Sequence, residues 1–173
     1  MAAVSLILGG ARSGKSRYAE KLATDSHKEV IYVATATAFD EEMQARITHH
    51  RQQRNPEWFS VEEPLHLPEI IHEYSSASRC LLVDCLTLWM NNILFMTPDM
   101  SPSHYVDRLV QTCRTTPGEL IFVANEVGLG VIPMGKISRQ FVDESGRLNQ
   151  RMAEIADHVT FIAAGLPMTL KSK

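Results

Sequence analysis

The sequence predicts an α/β fold, a mostly parallel central sheet with helices on both faces. Three observations carry the prediction. Short apolar runs alternate with longer helical stretches along the whole chain, the pattern that parallel strands and their crossover helices produce. The first apolar run ends at a glycine-rich loop that opens a helix. A later apolar run ends in a carboxylate, Asp84. With 173 residues, one domain spanning 1–173 is expected. A chain of this size buries roughly 70% of its unfolded surface and needs no covalent staple.

The elements follow in order. Residues 4–8 (Val-Ser-Leu-Ile-Leu) are too short and apolar for a helix and read as a buried strand. Residues 16–23 read as a helix. Glu-Val-Ile-Tyr-Val-Ala at 29–34 is β-branched and aromatic, hence a strand. Asp40 caps a helix expected to run to about Arg54, with acids Asp40, Glu41 and Glu42 at its start and Arg51 and Arg54 at its end, as the helix dipole favours. Pro56 stops it. Residues 67–74 read as helix, 80–84 as strand, 86–95 as an apolar helix and 97–103 as loop. A further helix runs to about Cys113, then comes a strand at 119–124. The glycine-rich stretch 127–135 is loop, 137–156 a long helix, and 158–163 the final strand. No linker, repeat or low-complexity segment interrupts this course.

Composition excludes several classes. Seventeen basic against twenty acidic residues leave a net charge of −3, without the basic face that a nucleic-acid binder needs. No run of 18 apolar residues exists to cross a membrane. The start of the chain lacks the basic region of a signal peptide. Cys80, Cys85 and Cys113 form no CxxC and no even framework, so reduced, buried thiols and a cytoplasmic setting are expected. The eight methionines suggest adaptable packing only.

Gly9-Gly10-Ala11-Arg12-Ser13-Gly14-Lys15-Ser16 satisfies G-x-x-x-x-G-K-[ST] between a strand and a helix. The glycines let the loop curl so that its N–H groups point at phosphate oxygens. Lys15 reaches the β- and γ-phosphates, Ser16 offers a hydroxyl to Mg²⁺, and the helix N-terminus faces the anion. A carboxylate at a neighbouring strand end is needed for the magnesium shell; Asp84 is the first candidate and Glu126 the weaker one.

His49 and His50 are adjacent on the predicted helix, so at most one can point at a given site. At helical spacing Met43, Ile47, His50 and Arg54 share one side, and Glu42, Arg46, His49 and Gln53 another. The second side is polar and is the one expected to face a ligand. No HxxxH, HxH or HExxH marks a metal site. A neutral imidazole is a good nucleophile toward phosphorus and is largely neutral at pH 7. Nearby Arg46 or Arg51 would favour that form, and Glu62 or Glu63 would oppose it. Trp89, Met90 and Phe95 read as a core helix face before the wall of a large ligand pocket, and Asn149 and Gln150 as braces of the site or of an oligomer contact.

These motifs resemble those of one known family. The phosphate loop through Arg17, Tyr32-Val33-Ala34-Thr35-Ala36, Asp40-Glu41-Glu42-Met43 and Arg46-Ile47-Thr48-His49-His50-Arg51 match it in order. So do Trp58, Glu62-Glu63-Pro64, Asp84-Cys85-Leu86-Thr87, Asn125-Glu126-Val127-Gly128-Leu129-Gly130-Val131-Ile132-Pro133 and Asp143-Glu144-Ser145-Gly146-Arg147-Leu148-Asn149-Gln150. The family is the bifunctional adenosylcobinamide kinase / adenosylcobinamide-phosphate guanylyltransferase of cobalamin biosynthesis. A phosphate loop alone matches many families; together with Arg-Ile-x-His-His-Arg and Asn-Glu-Val-Gly-x-Gly it is far more specific.

The resemblance implies a P-loop NTPase fold of RecA-like architecture and a cytoplasmic homotrimer. It implies phosphorylation of adenosylcobinamide by ATP or GTP, then transfer of GMP from GTP to that phosphate, giving adenosyl-GDP-cobinamide and pyrophosphate. The guanylylated residue falls on His49, with Lys15 as the second catalytic residue. Nucleotide contacts fall on Gly9, Gly10, Ala11, Arg12, Ser13, Gly14, Lys15 and Ser16, on Ala34, Thr35 and Ala36, on His50, Arg51, Gln52 and Gln53, and on Glu62 and Asp84. Magnesium would be held through Ser16 and Asp84. One departure is Arg54-Asn55-Pro56 where members usually have Arg-Pro, which lets the helix end about one residue later. Two other readings stay open: a single-function small-molecule kinase, and a RecA-like ATPase that binds nucleic acid or a protein partner.

Overall fold

The computed structural model describes residues 1–173 except Phe39; the side chains of Arg46, His50 and Gln53 also lie outside the described residues. The chain runs β1 (Ala3–Gly9), α1 (Lys15–Asp25), β2 (Glu29–Ala34), α2 (Glu41–Gln53), β3 (Phe59–Glu62), α3 (Leu67–Tyr74) and β4 (Arg79–Asp84). It continues α4 (Leu86–Met96), α5 (Pro102–Thr115), β5 (Glu119–Asn125), α6 (Lys136–Ile155), β6 (His158–Ala163) and β7 (Leu166–Ser172). The strands form one sheet in the order β3-β2-β4-β5-β1-β6-β7. All neighbours are parallel except β7, which returns antiparallel to β6.

Alternation along the central strands splits the core in two. Leu6 and Leu8, Ile31 and Val33, Leu81 and Val83, and Leu120 and Phe122 point to one face. There they meet Leu67, Ile71, Trp89, Met90, Leu109, Leu148 and Met152, from α3, α4, α5 and α6. Ile7, Tyr32, Leu82, Ile121 and Val123 point to the other face, where Ala19 and Ala23 of α1 pack closely. Both faces are covered, as the apolar runs predict, but unequally. Small residues on α1 bring that helix close to the sheet, next to the phosphate loop that precedes it.

Two strands escape the sequence reading, both at sheet edges. β3 is four residues long and mostly exposed, so it carries almost no apolar signal. The strand at 158–163 is not the last: β7 follows through a turn whose residues Ala164 and Gly165 have φ of 51° and 77°. Two successive positive φ values suit a tight hairpin, and glycine takes one of them without strain. Leu166, Met168 and Leu170 alternate along β7 and are exposed, so the period of two marks a strand without a buried face. The three cysteines are free and buried; burial pushes Cys80 and Cys113 to about 12 and Cys85 to about 11.

Candidate active site

Strand register assembles the site. Ala34 lies opposite Glu62 on one side and Asp84 on the other, while Gly9 lies opposite Asn125. The carboxyl ends of five parallel strands thus form one ledge, the usual place for ligands in an open α/β sheet. Above it opens a pocket of about 700 Å³ lined by the phosphate loop, α1, the strand ends and one side of α2.

The phosphate loop is held from below. A Cβ on Gly9 would come within 2.7 Å of the Ile162 carbonyl oxygen, so this position tolerates only glycine while β6 stays in place. Gly14 has φ +94°, and a Cβ there would sit 3.3 Å from Gly165 Cα. The Gly165 N–H donates to the Ser13 carbonyl at 2.8 Å, so the β6–β7 turn braces the loop directly. Lys15 is buried and its ammonium donates to the Gly10 carbonyl at 2.9 Å. Burial lowers its pKa from the ordinary value, opposed by Cys85 and Asp84. The Ser13 hydroxyl and the Asn125 side-chain carbonyl are buried with no hydrogen-bond partner among the described residues.

Asp84 enters the pocket from β4, and the Tyr32 hydroxyl donates to its Oδ2 at 3.0 Å. Burial, reinforced by Asp84, raises the Tyr32 pKa and fixes the phenol as a donor. The Thr35 hydroxyl donates to the Cys85 carbonyl at 2.6 Å and accepts from the Cys85 N–H at 3.0 Å, locking the end of β2 to that of β4. Glu20, one turn beyond Ser16 on α1, is raised in pKa by burial and then by Asp84.

The pocket brings together Ala11, Arg12, Ser13, Gly14, Lys15, Ser16, Ala34, Ala36, Glu62 and Asp84 of the expected residues. Gly9 and Gly10 shape the loop from beneath, and Thr35 is fully buried in its pairing with Cys85. Glu126 accepts from the Gly128 N–H at 2.7 Å and is absent from the pocket lining, so of the two candidate carboxylates Asp84 is the one that lines the pocket. Arg51 and Gln52 are exposed, and Arg51 holds Glu62 with two hydrogen bonds of 2.6 and 2.5 Å. His50 and Gln53 lie, as side chains, outside the described residues.

The side of α2 that meets the pocket differs from the expectation. Met43, Ile47 and Arg54 line it, and His49 is exposed. Glu42 and His49 turn to solvent because Met43 and Ile47 are the apolar residues α2 has to shelter, and the pocket wall is the shelter available. Trp89 and Met90 are fully buried core and Phe95 is exposed, so these three side chains do not line one pocket. Glu20, Tyr32, Arg54, Leu88 and Asn125 are site neighbours that sequence reasoning did not single out. Arg54 was legible as sharing a side with Ile47; Tyr32 and Asn125 were named only within the blocks that carry the resemblance, without a role of their own.

Comparison with known proteins decides the family. Residues 5–170 match the model of the CobU family, described as cobinamide kinase / cobinamide phosphate guanyltransferase. The chain belongs to this family. A Pseudomonas aeruginosa relative, bifunctional adenosylcobalamin biosynthesis protein CobP, is 50% identical over 168 residues, which cover 97% of each chain. The Escherichia coli bifunctional adenosylcobalamin biosynthesis protein CobU is 38% identical over 179 residues, covering 96% of this chain and 98% of its own. Among solved structures, a Pyrococcus horikoshii protein superposes with a TM-score of 0.59 at 10% identity, covering 98% of this chain and 86% of its own. The RadB recombinase superposes with a TM-score of 0.50 at 15% identity, covering 92% and 73%. Those likenesses establish the fold alone: the cobinamide kinase / guanyltransferase family is built here on a P-loop, RecA-like sheet.

Proposed function

We propose that the protein phosphorylates adenosylcobinamide with ATP or GTP and then transfers GMP from GTP to the product, releasing pyrophosphate and adenosyl-GDP-cobinamide. The observation that carries this reading is the braced phosphate loop, with buried Lys15 facing Asp84 across one pocket, in a chain of the family. In the kinase step the loop N–H groups and Lys15 hold the phosphate chain, and the acceptor hydroxyl attacks the γ-phosphorus. Phosphoryl transfer depends chiefly on such positioning and charge neutralisation. Ser16 and Asp84 suit magnesium: both line the pocket, and the Tyr32 hydroxyl orients Asp84 through Oδ2. Magnesium bound with the nucleotide neutralises phosphate charge there.

In the transfer step a ring nitrogen of His49 attacks the α-phosphorus of GTP and pyrophosphate leaves. A phosphate oxygen of the acceptor then attacks the histidine-bound GMP, and the imidazole is released. A covalent relay lets the two anions occupy the site in turn. Because His49 is exposed and α2 buries none of its described residues, this step requires α2 to turn its polar side inward. Cytoplasmic location and a homotrimeric assembly belong to the same reading. No helix among the described residues is long and apolar enough to cross a membrane.

The position of His49 outside the pocket lining favours a second reading, a kinase alone. One experiment separates them. The protein is incubated with magnesium and GTP labelled at the α- or the γ-phosphate, with and without cobinamide phosphate, then denatured. Label retained from the α-position only, acid-labile, base-stable and absent in His49→Ala, is the expected result. Folded, GTP-bound protein that stays unlabelled in both arms leaves the kinase alone. A RecA-like DNA-binding ATPase is tested by single-stranded DNA binding across salt concentrations; none is expected at net charge −3.

A further inference from the structure

We propose that Arg54 is a phosphate-binding residue of the pocket, reaching from the end of α2 toward the anion that the phosphate loop holds. The inference rests on the nucleotide-using reading above and extends it to a residue outside the expected contacts.

Arg54 lines the pocket, and its guanidinium carbon lies 4.3 Å from the centre of the Tyr32 ring. Tyr32 is itself fixed: its ring is buried between strand and helix, and its hydroxyl donates to Asp84. The guanidinium therefore rests on a rigid aromatic face, which holds its plane without consuming its donors. Its Nε is buried and has no hydrogen-bond partner among the described residues. Arg51, Arg79, Arg147 and Arg151, by contrast, spend donors on carboxylates, of Glu62, Glu29, Glu144 and Asp107.

A buried charged donor left unpaired costs free energy, and an incoming acceptor recovers it. The ligand that fits is a phosphoryl group, whose oxygens match the planar fork of a guanidinium. Glu20 is the nearby carboxylate whose charge Arg54 offsets, and Arg54 also opposes the rise that Asp84 contributes to the Tyr32 pKa. Glu62 is already neutralised by Arg51. The phosphoryl group has two sources, the nucleotide's phosphate chain or the phosphate on the acceptor.

The test measures equilibrium binding of magnesium GTP, magnesium pyrophosphate, cobinamide phosphate and unphosphorylated cobinamide to wild type, Arg54→Met, Arg54→Gln and Arg54→Lys. Folding of each is checked by thermal melting. If Arg54 takes nucleotide phosphates, the Met and Gln variants lose about 10- to 100-fold in affinity for GTP and pyrophosphate. If it takes the acceptor's phosphate, the same loss falls on cobinamide phosphate instead. In both cases Arg54→Lys recovers part of the loss and cobinamide binding is unchanged, which a merely structural role would not produce. Wild-type affinity of a folded Met or Gln variant for all three phosphorylated ligands overturns the proposal. So does an equal loss for cobinamide with and without its phosphate. Failure of the wild type to form either product refutes the proposed function, while the pyrophosphate arm still decides the role of Arg54.

Discussion

Helices α2 and α4 both leave the carboxyl edge of the sheet beside the same pocket, and they are built in opposite ways. α4 begins immediately after β4 and buries Leu86, Thr87, Trp89, Met90, Asn92 and Ile93. Its polar groups work inward. The Trp89 indole N–H donates to the Leu65 carbonyl at 2.8 Å, and the Asn92 amide donates to the Thr35 carbonyl at 2.7 Å and the Pro64 carbonyl at 2.9 Å. The Thr87 hydroxyl accepts from the Asn125 N–H at 2.7 Å. One helix thereby pins the ends of β2 and β5 and the segment after β3.

By contrast, α2 buries none of its described residues. It is held by its Asp40 cap, whose carboxylate accepts from the Met43 N–H at 2.7 Å, by the half-buried Met43 and Ile47, and by the Arg51–Glu62 pair. The difference is one of anchoring: α4 is fixed by buried contacts beneath the pocket, and α2 is held by few of them. Regions that move in function are drawn from the low-stability end of a structure.

Five substitutions sharpen or break this contrast. Trp89→Ala is expected to be the most damaging, about 3–5 kcal/mol by chemical denaturation, because it opens a large cavity in the core. Asn92→Ala should cost about 2 kcal/mol, since two carbonyls at strand and loop ends lose their donor. On α2, Asp40→Ala should cost about 1 kcal/mol through the lost cap. Arg51→Ala should cost less than about 1 kcal/mol, because the pair it breaks is half exposed on both sides. A ranking in which either α2 variant outweighs Trp89→Ala would break the contrast. His49→Ala completes the series: stability within about 0.5 kcal/mol of wild type, and no acid-labile GMP adduct.

What the sequence made legible follows the same division. Buried strands and α4 announce themselves because burial selects continuous apolar runs, and the phosphate loop because its backbone needs glycine at set positions. Asp84 was legible as a carboxylate closing such a run. The facing of α2 was not, because a helix with two isolated apolar residues has too weak a stripe to orient it. Tyr32 and Arg54 escaped because their importance lies in contact across 22 positions, which no local period encodes. The two missed strands lie at edges, where half the residues meet water and the apolar signal thins.

The brace of Gly165 against Ser13 and Gly14 also sets an order of events during synthesis. The phosphate loop spans residues 9–16, yet the turn it rests on, at Ala164 and Gly165, is coded far downstream. Until that turn has been made, the loop lacks the support that shapes it. The finished shape of the loop is therefore conditional on closure of the β6–β7 hairpin.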